Sequence, residues 1–196
     1  MIYKILIKIC LVFFFTSNIY AQQDVTLLGL EVDGNTLAAE TMIKYTSGLR
    51  QNELINVTDF SRAVKRLWQL GLFKDVQIII DKETSDGLFI SIVVEENPIL
   101  GSVIYKGNKR LKDKQLQDEL ELYKGQRIKP HSLVESISNL KKFYAGDGFL
   151  LAEIDAQLSE SKSSLDDKTS EKDAKRQSLT KDIVFTIKEN DKVKID

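Results

Sequence analysis

A helical hydrophobic pattern turns into a strand pattern twice in this chain, and that doubled corner limits its architecture more than any other feature. The first corner spans Leu67 to Ile80, L-W-Q-L-G-L-F-K-D-V-Q-I-I-I. Phe60, Val64, Leu67 and Trp68 fall on one face of a 3.6-residue period, and beyond Gly71 the apolar positions alternate as Val76, Ile78 and Ile80. Gly71 suits the left-handed conformation that ends a helix, and Leu72 and Phe73 can fold back over the junction. Leu133, Ile137, Leu140 and Tyr144 then repeat the helical stripe. Gly146-Asp147-Gly148-Phe149 repeats the corner, and Ala152, Ile154, Ala156 and Leu158 repeat the alternation.

The segments around each corner keep one order. Val25 to Val32 reads as a strand, Asp33-Gly34-Asn35 as a turn, and Thr36 as the cap of a helix through Tyr45. A second helix, capped by Asn56 or Thr58, carries the corner into a strand at Asp75 to Asp81. A hairpin at Glu83 to Gly87 returns it as Phe89 to Glu95. After Asn97-Pro98 the order restarts: a strand at Ile99 to Tyr105, a helix at Lys112 to Leu122, a helix opened by Pro130, and strands at Ala152 to Leu158 and around Ile183, Phe185 and Ile187. Gly107-Asn108 lies 73 residues after Gly34-Asn35, and Ile187-Lys188-Glu189-Asn190 echoes Val94-Glu95-Glu96-Asn97 at 93 residues.

Most of that growth comes from Ser159 to Ser178, which has five acids, five bases and Leu165 as its one large apolar residue. Such a composition predicts a disordered insertion at about 159–178. The expected fold is α+β: tandem β-α-α-β-β units at 22–97 and 98–190, each a three-stranded sheet covered on one face by two helices. Val193 and Ile195 in 191–196 read as the truncated start of a third repeat.

Residues 1–21 have the layout of a cleaved signal peptide: Lys4 and Lys8, an apolar run from Ile9 to Phe15, and Ala21 before the cut. Cys10, the single cysteine, falls inside this leader, so the remaining chain can form no disulfide. Without Lys4 and Lys8 the formal charge is −3, which argues against a partner held through nucleic-acid phosphates.

Chemistry is sparse. The only histidine, His131, stands in the first turn of a helix without a nucleophile motif or second ligand nearby, so it reads as a solvated surface residue. Adjacent Glu95 and Glu96 point to opposite faces of a strand and cannot share one substrate. Glycines occur singly at turns, not in a phosphate-cradling loop. No catalytic, metal or cofactor-binding residues are expected, and the chain is not read as an enzyme. Trp68 and Phe73 are expected in the core, and Lys106, Lys109, Arg110, Lys112 and Lys114 on a solvated face.

The doubled unit, its Gly-Asn turns, the corners G-L-F-K-D-V and G-D-G-F-L-L-A-E-I, and the export signal together resemble the POTRA domains of outer-membrane β-barrel assembly factors of the BamA type. The resemblance covers Val25 to Asn190. It implies a periplasmic location beneath an outer-membrane barrel that is not part of this sequence. It also implies that the chain receives unfolded outer-membrane proteins and docks accessory assembly subunits. The middle strand of each unit in sequence is then expected at a sheet edge, where unpaired backbone groups can add an extended client strand. In the first unit these client-binding residues are Val76, Gln77, Ile78, Ile79 and Ile80; in the second, Ala152, Glu153, Ile154, Asp155 and Ala156. Gly71, Phe73, Gly148 and Phe149 are expected to be structural corner residues. A second reading from the same resemblance is the substrate-receptor part of a two-partner secretion or related outer-membrane transporter.

Overall fold

The computed structural model describes residues 24–161 and 170–192. Unit one runs β1 (Val25–Asp33), α1 (Glu40–Ser47), β2 (Leu54–Ile55), α2 (Val57–Gln69), β3 (Phe73–Thr84) and β4 (Gly87–Glu96), with sheet order β2-β1-β4-β3. Unit two runs β5 (Ile99–Lys106), α3 (Asp113–Asp118), α4 (Pro130–Gly146), β6 (Glu153–Glu160), α5 (Glu171–Leu179) and β7 (Thr180–Lys188), with sheet order β5-β7-β6. In each unit the first and last strands pair in parallel, and the last two pair antiparallel. The strand-helix-helix-strand-strand plan thus occurs twice, with β2 and α5 as additions.

Local chemistry sets the starts and stops. The Asn56 side chain accepts the Thr58 N–H while the Asp59 carboxylate accepts the Asn56 N–H, a reciprocal cap that opens α2. Pro130 opens α4 at a position whose N–H would have no helical partner. The chain leaves β1 through Gly34 at φ +78° and leaves β5 through Gly107 at φ +89°. A β-carbon on Gly34 would lie 2.2 Å from the Val94 carbonyl oxygen, and one on Gly107 would lie 2.1 Å from that of Ile187. In both units the loop after the first strand therefore presses its backbone onto the last strand.

Alternating residues of the last strands carry the two cores. Ile90, Ile92 and Val94 pack with Ile43, Ala63, Leu67 and Phe73, while Ile183, Phe185 and Ile187 pack with Leu116, Leu140, Tyr144 and Phe149. Tyr105 stacks on Phe185 with ring centroids 5.7 Å apart, and Tyr144 meets Phe149 edge to face at 6.0 Å.

Several expectations are corrected. Thr36 does not cap α1; that helix begins at Glu40 without a side-chain cap, and the preceding loop is held by Glu96 instead. Trp68 is not core but 46% exposed: the stripe of α2 centres on Ala63 and Leu67, which leaves Trp68 at its rim. The helix read from Lys112 to Leu122 covers only Asp113–Asp118, after which Gln117 turns its side chain to the Leu122 carbonyl.

The expected disorder at 159–178 is corrected at its described residues: Ser159 and Glu160 end β6, and 171–178 are helical behind the Ser170 cap. The Ser170 hydroxyl accepts the Asp173 N–H, acids sit in the first turn, and Lys175 pairs with Glu171 one turn away. These local terms form a helix with no buried residue, which a count of apolar residues does not foresee. The signal-peptide reading, residues 162–169 and the 193–196 part of the third-repeat reading lie outside the described residues. Among the described residues no helix is long and apolar enough to cross a membrane, and no cluster of His, Cys, Asp or Glu is placed to hold a metal ion.

Candidate functional site

The strand orders put β3 and β6 at sheet edges, each paired on one side only. Along β3 the partners are Val76 with Val94, Gln77 with Val93, Ile78 with Ile92, Ile79 with Ser91 and Ile80 with Ile90. Along β6 they are Glu153 with Lys188, Ile154 with Ile187, Asp155 with Thr186 and Ala156 with Phe185, and Ala152 precedes the strand. Each edge so placed leaves backbone donors and acceptors facing away from the sheet.

The two edges differ in chemistry. Val76 is buried beside the corner, but Ile79 and Ile80 are 45% and 52% exposed, against the expectation that Ile80 continues the buried alternation. Ile79 alternates to the face opposite the core, and length explains Ile80: twelve residues of β3 reach about 40 Å while thirteen residues of α2 reach about 20 Å, so the strand outruns its helical cover. The next residues, Asp81, Lys82 and Glu83, are exposed and charged, and the register shifts between Ile80 and Lys82. The β6 edge is polar, with Glu153, Asp155 and Gln157 exposed and Lys188 and Lys181 paired to Glu153 and Glu160.

Gly71 and Gly148 have φ +67° and +89°, and Phe73 and Phe149 are buried. His131 is exposed in the first turn of α4.

Two features escape the sequence. On its β2 side β1 is held as far as Leu28, where Leu27 bonds Glu53 and Asn52 and the Leu28 carbonyl accepts from the Gln51 side chain, and beyond it a groove of about 790 Å³ runs along Gly29 to Asp33 against Glu40 and Lys44. A two-residue strand gives too short a pattern to detect. The second is the joint between the units. Oε1 of the fully buried Glu96 side chain accepts the N–H groups of Thr36, Leu37 and Ala38 at 2.6, 2.7 and 2.9 Å. Oε2 accepts from Arg127 of unit two at 2.8 Å, and the other Arg127 amino group donates to the Asn97 carbonyl at 2.7 Å. Asn97 in turn donates to the Gly71 and Phe73 carbonyls, tying the corner to the joint.

Burial alone would push the Glu96 carboxyl up. The Ala38, Thr36 and Leu37 N–H groups and the Arg127 guanidinium outweigh it, and its pKa falls below the ordinary carboxylate value.

Residues 98–190 match the POTRA family model, described as surface antigen variable number repeat. Two curated relatives are outer membrane protein assembly factors BamA. That of Nitratidesulfovibrio vulgaris is 21% identical over 64% of this chain and 16% of its own length. That of Neorickettsia risticii is 28% identical over 59% of this chain and 15% of its own length. The chain thus spans about a sixth of these relatives. Among solved structures, the N-terminal domain of Omp85 from the thermophilic cyanobacterium Thermosynechococcus elongatus superposes with a TM-score of 0.52 at 18% identity. It covers 85% of this chain and 63% of that one, a likeness of fold. Residues 98–190 thus match the POTRA family, unit one repeats the same strand-helix-helix-strand-strand plan, and the chain is similar in sequence to BamA proteins and in fold to the Omp85 domain.

Proposed function

We propose that this chain is a periplasmic segment of an outer-membrane β-barrel assembly factor, exported by a signal peptide at 1–21 and divided into POTRA domains at 22–97 and 98–190. It works as a scaffold and not as an enzyme. Extended stretches of unfolded outer-membrane proteins add a strand along the outer edge of β3, at Val76 to Ile80, through backbone pairing that does not depend on client sequence. Ala152 to Ala156 offers a second, more polar edge. Accessory assembly subunits are further partners, and the outer membrane is reached through a barrel.

The observation that carries this reading is the edge position of β3 together with the exposed Ile79 and Ile80 beside the unpaired backbone. Soluble proteins normally protect such an edge with charge, and here Val76 to Ile80 carry none between Asp75 and Asp81. Amide hydrogen exchange with an unfolded barrel-strand peptide tests it. Added protection of the outward amides of Val76 to Ile80 is the expected result. Unchanged exchange along both β3 and β6 at saturating peptide overturns the edge mechanism.

A further inference from the structure

A sheet covered on one face turns its apolar residues to the core and its polar ones to water, and the outward face of the unit-one sheet departs from that pattern. Strand pairing puts Phe89 between Gly29 and Lys82, Ser91 between Glu31 and Ile79, and Val93 between Asp33 and Gln77. Paired residues share a face, so these three rows stand side by side opposite α1 and α2. Phe89 and Ile79 are 38% and 45% exposed, and Val93 is half-buried. Gly29 leaves room for the ring: a β-carbon there would lie 2.4 Å from Phe89 Cδ1. An apolar stripe thus runs along β4, with a shallow dip at the buried Ser91.

Carboxylates flank the stripe on both sides. Glu31 and Asp33 stand along it on β1, Asp75 and Asp81 on β3, and Glu95 at the end nearer unit two. The Ser91 hydroxyl donates to Asp81 at 2.7 Å and the Gln77 amide to Asp75 at 2.6 Å, which holds both carboxylates over the face. Among the described residues Glu31, Asp33, Asp75 and Asp81 make no ion pair; Lys74 pairs with Glu95 at 2.7 Å, and Lys82 lies 5.9 Å from the Phe89 ring centroid. The groove along β1 opens onto Glu31, Phe89 and Asp81. The fold does not demand this charge. The same face of unit two carries exposed Lys106 and Lys188 against exposed Glu153 and Asp155, with Lys188 paired to Glu153 at 3.1 Å.

We infer that the outward face of the unit-one sheet is a docking surface for a cationic amphipathic helix of a partner protein. Phe89 to Val93 spans about 13 Å, the length of about nine helical residues, and neighbouring rows lie about 6.7 Å apart against about 6 Å from i to i+4 of a helix. Apolar residues at i, i+4 and i+8, all within one amphipathic stripe, therefore fall on Phe89, on Ile79 across the Ser91 dip, and on Val93. Lysines or arginines flanking that stripe meet Glu31 and Asp33 on one side and Asp75 and Asp81 on the other. The described helices α1 to α4 commit their apolar residues to the two cores, and α5 has only Ala174 and Leu179, so the helix comes from another protein. Lying across the face, it takes no backbone hydrogen bond from β3 or β6, and the proposal holds or fails apart from client pairing at those edges.

The test titrates the ¹⁵N-labelled chain with a synthetic leucine-lysine helix that has leucine at i, i+4 and i+8 and lysine on both flanks. A twin with glutamate for every lysine and a scrambled peptide of the same composition are the comparisons. Amide shifts that saturate at Glu31, Asp33, Ile79, Phe89 and Val93, fade at high salt, and need about tenfold more of the scrambled peptide are the expected result. The chain bearing Glu31→Lys with Asp33→Lys, both at exposed positions, should bind the cationic helix at least about tenfold more weakly with its melt intact. The peptide comparisons leave the protein unaltered and decide the matter even where that variant melts early. Equal binding of the scrambled or glutamate peptide, shifts centred on another surface, full binding by the folded variant, or no shift at millimolar peptide each overturns it. Slowed exchange of the outward β3 amides under the cationic helix would mean strand addition and overturns it as well.

Discussion

Arg127 lies 2.8 Å from the Glu96 carboxylate across the boundary between the two units, and it also holds the Asn97 carbonyl at 2.7 Å. One side chain of unit two therefore completes a carboxylate whose other oxygen organises the β1–α1 loop of unit one. Removing it leaves a buried charge held only by N–H groups. Arg127→Met is expected to cost about 3 kcal/mol, the low end for a broken buried pair, because three N–H bonds to Oε1 survive. Urea unfolding measures the loss. A midpoint unchanged within error would mean that the pair is solvated and contributes nothing to the joint.

The same carboxylate gives the protein an acid limb. Its folded pKa is below the ordinary value of 4.5, so the unfolded chain binds the proton more readily. The stabilisation is fully present above about pH 4.5 and is lost as pH falls through the lower folded value. Glu96→Gln should thus be less stable than the parent at pH 7, with the difference shrinking toward pH 3. Melting temperatures of both proteins across pH 3 to 7 decide it; parallel curves would remove Glu96 from the acid response.

Phe73→Ala tests the corner. The ring is 2% exposed among Leu67, Ile92 and Val94, so its loss removes apolar burial and leaves a cavity. A cost of about 3 to 5 kcal/mol is expected from equilibrium unfolding followed by signals of unit one. Trp68, exposed on the same helix, should tolerate truncation within about 1 kcal/mol.

These residues also mark how far the sequence could be read. The corners, the Gly-Asn turns and the Glu-Asn echoes are local signals with a fixed spacing, and each lies where its pattern puts it. Glu96 looked like an ordinary strand acid, because its partners stand about sixty residues before it and 31 after it, and no local pattern links them. Ile80 followed the period of a buried strand, yet the period carries no information about where α2 stops covering β3. The α5 helix rests on a cap and an i,i+4 ion pair, which a hydrophobic count passes over.

Two glycine changes separate close approach from mere flexibility. Gly107→Ala places a methyl 2.1 Å from the Ile187 carbonyl oxygen at φ +89° and should cost more than about 2 kcal/mol, since both strain and a backbone clash oppose it. Gly146→Ala, in the last turn of α4 with nothing within 4 Å, should stabilise by about 0.5 kcal/mol through helix propensity. Thermal melts of the pair check both signs.

The edge strand yields the prediction closest to function. Ile80 is half exposed, so Ile80→Lys should change stability by no more than about 1 kcal/mol while placing a charge on the edge beside the unpaired backbone. Lysine at an edge opposes the addition of a strand because the incoming chain would have to desolvate it. Binding of an unfolded barrel-strand peptide, followed by fluorescence anisotropy, should fall several-fold. Leu158→Lys on the already charged β6 should weaken it little. Equal loss in both variants would assign the client to both edges, and loss only in Leu158→Lys would move it from β3 to β6. Full binding in both, with melts intact, would locate recognition elsewhere on the chain.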